Sequence, residues 1–365
     1  MPVKFRKMLV SAEAFESAAV WDVDGDGVLD IVSGAYWYKG PDFFKRFQLG
    51  DHPKRYGEYY DDFSTIALDI NGDGRLDFIT GGWWGENLRW RQCPEKPDGH
   101  WPEHIIGAGI GNVETTRAWD IDGDGHVEIV PNTPGAPLVA FKLLRDAAGK
   151  GTGKFSKHVL FEKPIGHGYG FGDIDGDGRG EFVFGKGILK ATNKPLEQPW
   201  IHLPEFELTH GDASCPMLVV DVNGDGLADI IVGHAHSYGL YWLEQKRDAA
   251  GKRSWIKHPI DPYIAQYHDL WWADIDGDGK PELITGKRYR AHNGNEAGEA
   301  DDLGIFYFKW NGESFTKQVI SYGPHGEGAG CGIHFWLADL RKTGRLDIVA
   351  PGKDGLHVFF NEGSA

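Results

Sequence analysis

Cysteine and methionine are scarce in this chain, with three of each among 365 residues. Cys93, Cys215 and Cys331 are too few for a disulfide framework and lack the spacing of a zinc ribbon, so they read as packed or free thiols. Long apolar runs are also missing, and nothing approaches the ~20 residues of a membrane-spanning helix. The opening Met-Pro-Val-Lys-Phe has no apolar core of the kind a signal peptide needs. As it stands the chain reads as cytoplasmic, or as periplasmic or secreted if a leader has been removed, and the compartment is left undecided. Cations are outnumbered, 38 Lys and Arg against 54 Asp and Glu, for a net charge of −16. That balance argues against nucleic acid or an anionic membrane as partner, since both reward basic patches.

What is abundant is glycine, 52 residues that recur beside aspartate and not in low-complexity runs. The pattern D-x-D/N-G-D-G-x-x-D/E starts at Asp22, Asp69, Asp120, Asp173, Asp221 and Asp274, and a degenerate seventh copy starts at Asp339. Apolar, β-rich segments flank each copy, as in DIVSGAYWY and DIIVGHAHS, which predicts strand, acidic turn, strand. Intervals of 47 to 65 residues suit one four-stranded blade per repeat. The last copy ends without a fourth strand, and Phe5-Arg6-Lys7-Met8-Leu9-Val10 has the pattern of Phe315-Thr316-Lys317-Gln318-Val319-Ile320. The expected fold is therefore all-β, a single seven-bladed propeller over residues 1–365, closed by the N-terminal strand in the last blade.

The acidic turns carry oxygen ligands at positions one, three, five and nine, the set that a hard cation such as Ca²⁺ (or Mg²⁺) requires. The expected ligands are Asp22, Asp24, Asp26 and Asp30; Asp69, Asn71, Asp73 and Asp77; Asp120, Asp122, Asp124 and Glu128. The remaining three turns supply Asp173, Asp175, Asp177 and Glu181; Asp221, Asn223, Asp225 and Asp229; Asp274, Asp276, Asp278 and Glu282. In the seventh, Arg341 stands where a ligand belongs, so calcium is expected in up to six loops, in a structural role. These loops resemble the FG-GAP/VCBS repeats of integrin-like propellers, a fold that hosts receptors, lectins, scaffolds and lyases and so does not name the activity.

Function is expected on the face opposite the acidic turns. Six residues before each repeat stand Glu16, Phe63, Glu114, His167, Cys215, His268 and Ile333. Thirteen residues after each start stand Ala35, Gly82, Thr133, Lys186, His234, Lys287 and Gly352. His167, His234 and His268 are the expected transition-metal ligands, zinc or similar, with Glu114 and Cys215 as candidate additions. Trp84, Glu114, Tyr169, Trp271, Arg288, Arg290, His292 and His334 are expected to hold a small-molecule sugar, whose faces stack on aromatic rings.

Several segments are more specific: GAYWYKGP, GGWWGENLRWRQ, GHGYGFGDIDGDG, HGDASCPMLVVDVNGDG, DLWWADIDGDG and GKRYRAHNGNEAG. They resemble the propeller domain of the aldos-2-ulose dehydratase (1,5-anhydrofructose dehydratase) group and its bacterial relatives. That resemblance implies a metal-dependent β-elimination on a keto-sugar or 3-keto-glycoside at a zinc ion in the propeller cleft. The fungal members continue into cupin domains that this sequence lacks, so only the elimination half is implied. On this reading Lys287, Lys186, His210 or His236 is the base, Tyr36 or Tyr289 the acid, and Arg288 and Arg290 orient the sugar. Two alternatives stand beside it: a non-catalytic, calcium-stabilised carbohydrate- or protein-binding propeller, and a uronate polysaccharide lyase. The segment from Arg288 to Asp302 reads as a lid or a plain surface loop.

Overall fold

The computed structural model describes residues 2–208 and 213–364. Its strands form seven four-stranded sheets and one two-stranded hairpin, Arg55–Tyr56 with Tyr59–Tyr60. In blade one the strands are Ala19–Trp21, Asp30–Ser33, Tyr36–Tyr38 and Arg46–Gln48, each antiparallel to the next. The same meander recurs from Ile66, Thr115, Tyr169, Leu218, Tyr267 and Trp336. First strands of neighbouring blades pack on one another, which sets them around a common axis. The close approach is visible at Gly170, where an added Cβ would stand 2.0 Å from the Met217 carbonyl of the next blade.

Ring closure follows the expectation. Val3–Ser11 pairs with Leu356–Ser364, with Met8 opposite Val358, and completes the sheet begun at Trp336–Ala338 and Asp347–Ala350. Pairing the two ends of the chain gives the last blade its fourth, outermost strand, so the C-terminal strand Leu356–Ser364 is not left as a bare edge. The apolar core lies between blades: Ile284, Ile305, Phe335, Ile348 and Phe359 form one seam, and Val183, Ile230 and Val232 belong to another. Each such side chain contributes about 1.5–3 kcal/mol by leaving water.

The acidic turns are tied by their own carboxylates. Asp22 Oδ1 accepts the backbone N–H of Gly25 at 2.8 Å, and its Oδ2 accepts that of Gly27 at 2.8 Å. Gly25 and Gly27 take φ of 75° and 83°, a region that side-chain-bearing residues rarely adopt. Asp30, at position nine, accepts Val23 and Gly40 N–H groups at 2.8 Å each, binding the turn to the second and third strands. No helix is long and apolar enough to cross a membrane among the described residues.

Candidate metal centre

Segments leading into the first strands of blades three, four and six, with a loop of blade five, deliver four side chains to one point. Glu114 precedes Thr115–Trp119, His167 precedes Tyr169–Gly172, His268 lies in Tyr267–Ala273, and His236 follows Asp229–Gly233. One ligand atom from each falls within 4.8 Å of all the others. His268 Nε2 and Glu114 Oε1 are 3.0 Å apart, His167 Nε2 and His236 Nε2 3.0 Å, and His167 Nε2 and Glu114 Oε1 3.4 Å. Ligands at ~2.0–2.1 Å from a tetrahedral zinc stand about 3.3 Å from one another, so these separations fit the group. Three imidazoles and one carboxylate are also a donor set that suits zinc.

The surroundings orient the ligands. His167 Nδ1 lies 2.8 Å from the Ala213 carbonyl, so an N–H donated there directs Nε2 toward Glu114 and His236. His236 Nδ1 is 2.8 Å from Glu296 Oε1, a carboxylate-to-imidazole pair of the kind that raises ligand basicity. Burial drives the His268 imidazole down to about 3, against the opposing pull of Glu114, which keeps it neutral as a metal ligand must be. For Glu114 burial acts to raise the carboxyl, but His167 and His268 beside it prevail and hold it well below the usual carboxylate range.

Beside the four ligands opens a pocket of about 300 Å³ lined by Tyr59, Phe63, Trp83, Trp84, Glu114, Arg288, His292 and Asn293. Its polar groups come from distant parts of the chain: Glu114 from one, Arg288 and His292 from another. Arg288 is fully buried and grips Glu16, with Nε 2.8 Å from Oε1. The Lys353 ammonium sits 3.4 Å above the Tyr59 ring and donates to the Arg290 carbonyl at 2.6 Å. Burial lowers Lys353 to about 8, although Glu16 opposes the shift. Arg117 of blade three reaches Asp269 of blade six at 2.7 Å, and Asp269 accepts the Phe335 N–H at 2.9 Å.

The repeat that supplies His236 is identified by comparison with known families. Residues 221–285 match the family model of the FG-GAP-like repeat. This FG-GAP-like stretch contains the acidic turn of blade five, the strand ahead of His236 and His268 itself. The whole chain is similar in fold to BBS1N, solved in complex with ARL6DN in lead- and mercury-soaked crystals. Both comparisons give a TM-score of 0.53 at 12% identity, covering 100% of this chain and 98% of that one. No curated protein matches the chain in sequence.

Set against this geometry, several sequence expectations move. His234 is outside the four-ligand group and packs on Tyr241, ring centres 5.2 Å apart. The strand ends at Gly233 and the His234 N–H closes a loop onto the Gly239 carbonyl at 2.9 Å. That loop carries His236, expected as a base, to the cluster with Glu114, His167 and His268 instead. Cys215 is buried with its Sγ 3.7 Å from Asn132 Oδ1, and it too is outside the group. Lys186 is exposed, in the turn between the strands Glu181–Phe184 and Gly187–Lys190. Lys287 is buried, its amine lowered by burial and 3.4 Å from Gln266 Oε1. His210 lies outside the described residues.

The expected acids are engaged elsewhere. Tyr36 pairs its hydroxyl with His52 at 3.0 Å, and Tyr289 stacks on His325 with ring centres 4.9 Å apart. Tyr169 is a core residue, wholly buried and donating to the Val130 carbonyl at 2.5 Å, not a sugar contact. Trp271 packs against Phe335 and Trp336 in the seam between blades six and seven. His334 is buried between strands and held neutral by burial and by Arg117. Trp84, Glu114, Arg288 and His292 do line the pocket, while Arg290 clasps Glu58 at its rim, with Nε 2.8 Å from Oε2. Sequence reasoning passed over Lys353, Glu296 and the Arg117–Asp269 strut; of these only Glu296, in the blade-six insertion, carried a signal.

Proposed function

We propose that the central pocket is a transition-metal site catalysing β-elimination on a keto-sugar or 3-keto-glycoside. The observation that carries this reading is the convergence of Glu114, His167, His236 and His268 beside an aromatic-walled pocket of about 300 Å³. A zinc ion held by these four residues would have to take the ketone oxygen as a further ligand, and would then supply Lewis-acid polarisation that acidifies the neighbouring C–H. His292 is the favoured base: it lines the pocket and its Nδ1 is held by Glu296, leaving Nε2 to receive the proton. Tyr59, whose phenol is raised to about 12 by burial, stays protonated and is the favoured donor to the departing oxygen. Trp84 and Phe63 offer faces on which a pyranose ring stacks.

A neutral sugar suits the pocket better than a uronate. Arg288 and Arg290, the cations that would meet a substrate carboxylate, are already paired with Glu16 and Glu58. The uronate-lyase alternative therefore has the weaker support. A non-catalytic sugar-binding propeller would use the same aromatic wall, so activity must separate the two.

The test is elemental analysis of the purified protein, followed by assay on 3-keto-glycosides and keto-sugars while enone absorbance is monitored. About one zinc per chain is expected, with elimination lost on selective chelation and restored by zinc. Binding of the sugars without enone formation, in zinc-loaded protein, would replace the eliminase with the binding propeller.

A further inference from the structure

The acidic turns hold a cation of the chain's own making. In blade three the Lys142 ammonium lies 2.6 Å from Asp122, 2.7 Å from Asp124 and 3.1 Å from Glu128. Those are positions three, five and nine of the turn, and an ammonium has three N–H donors for three carboxylates. The arrangement recurs in blade six, where Lys309 contacts Asp276, stands 2.6 Å from Asp278 and 3.6 Å from Glu282. In blade four Lys190 contacts Asp175 and lies 3.0 Å from Asp177; in blade one Lys39 contacts Asp24 and lies 2.7 Å from Asp26. Register explains the recurrence, because Lys142 stands directly opposite Glu128 on the neighbouring strand. Pairs Ile31 with Tyr38, Phe182 with Leu189 and Leu283 with Phe308 put Lys39, Lys190 and Lys309 at the same place.

The two turns with asparagine at position three differ in step. Pairs Phe78 with Arg91 and Ile230 with Leu243 put Gln92 and Glu244 at the lysine's place in blades two and five. There the asparagine amide is the donor: Asn71 Nδ2 reaches Asp73 at 3.0 Å, and Asn223 Nδ2 reaches Glu244 at 3.0 Å. The seventh turn uses Arg341, 3.1 Å from Asp347. Aspartate at position three thus goes with a lysine across the sheet and asparagine goes without one there; in blade five Lys246 instead lies 2.5 Å from Glu244 and 3.8 Å from Asp225.

From this correlation we infer that Lys39, Lys142, Lys190 and Lys309 are internal counter-cations that replace calcium in the turns of blades one, three, four and six. A calcium ion needs six to eight oxygens at about 2.3–2.6 Å, and an ammonium among the same carboxylates takes both the space and the charge. Glu128 Oε1 and Glu282 Oε1, buried and without a hydrogen bond, have this ammonium as their charge partner. The propeller would then close without divalent metal in these four blades, independently of what the central pocket binds.

The experiment measures calcium and thermal stability on the same protein. Wild-type chain dialysed against EDTA and returned to millimolar calcium is expected to take up calcium at no more than the turns of blades two and five, about two ions per chain, since a turn that gains no ligand gains no stabilisation from it. Lys142→Gln and Lys309→Gln, in separate blades, are expected to melt lower than wild type and to recover on adding calcium. Should one variant fail to fold, the other reads the same question, and the wild-type comparison stands alone. Wild-type protein that keeps about one calcium per turn after dialysis and melts lower in EDTA would overturn the inference; zinc in the same elemental analysis reports separately on the central pocket.

Discussion

Arg288 and Glu16 bury a bidentate ion pair that joins the exit of blade six to the approach of blade one, with Nε 2.8 Å from Oε1 and Nη2 3.3 Å from Oε2. The partners are 272 residues apart in sequence, so the pair staples the ring, and Arg288 also lines the pocket. Removing one partner strands the other charge in a buried place. Glu16→Gln or Arg288→Met is expected to cost about 3–5 kcal/mol in urea unfolding. Arg288→Lys should rescue little of it, because an ammonium cannot reproduce the two-pronged contact.

The proposed metal site makes a prediction that distinguishes two neighbouring histidines. His167→Ala, His236→Ala and His268→Ala should each abolish stoichiometric zinc, whereas His234→Ala should retain it. Glu296→Gln, which alters only the partner of His236 and His292, is expected to weaken zinc by roughly 10–100-fold. Competition against a chromogenic chelator would read all five variants.

Lys353 sets a pH dependence. Burial lowers its amine from the ordinary 10.5 to about 8, so the folded chain favours the neutral form more than the unfolded chain does. Its contribution to stability is complete above the ordinary lysine value and is lost as pH falls through about 8. The stability of wild type relative to Lys353→Met should therefore decline from pH 10.5 to pH 7.5, measured by urea midpoints. Methyl-lysine resonances should show one amine titrating near 8, and a full set titrating together above 10 would remove the argument.

The blade-six insertion is latched at its rim by Arg290 and Glu58, whose side chains keep 39% and 34% of their exposure. An ion pair that open to water is worth only about 0–1 kcal/mol. Arg290, His292 and Asn293 nonetheless all adopt positive φ, so the latched conformation of the segment is held by its contacts and not by backbone preference. Glu58→Ala should leave the melting temperature nearly unchanged while speeding proteolysis between Arg288 and Asp302. Equal cleavage rates in the two proteins would show that the latch does not hold the segment.

Much of this protein is written locally. Seven turns at near-regular spacing, each between β-rich segments, specify seven sheets, and the matching patterns at Phe5 and Phe315 specify which ends pair. Such features depend on residues a few positions apart, or on repetition, and both are legible in one dimension. The general location of the site was legible for the same reason, since registers counted from each repeat carry Glu114, His167 and His268 to one end of the ring.

The choice of His236 over His234, the withdrawal of Tyr169 and Trp271 into the core, and the role of Lys353 belong to the tertiary structure. A loop that turns after Gly233 has no periodicity to count, and a side chain pointing at a neighbouring blade looks the same in sequence as one pointing at a pocket. The lysines of the acidic turns show the division most clearly. The turn motif fixes where carboxylates gather, while strand pairing decides that an ammonium from the next strand stands among them, because only the sheet brings Glu128 and Lys142 face to face.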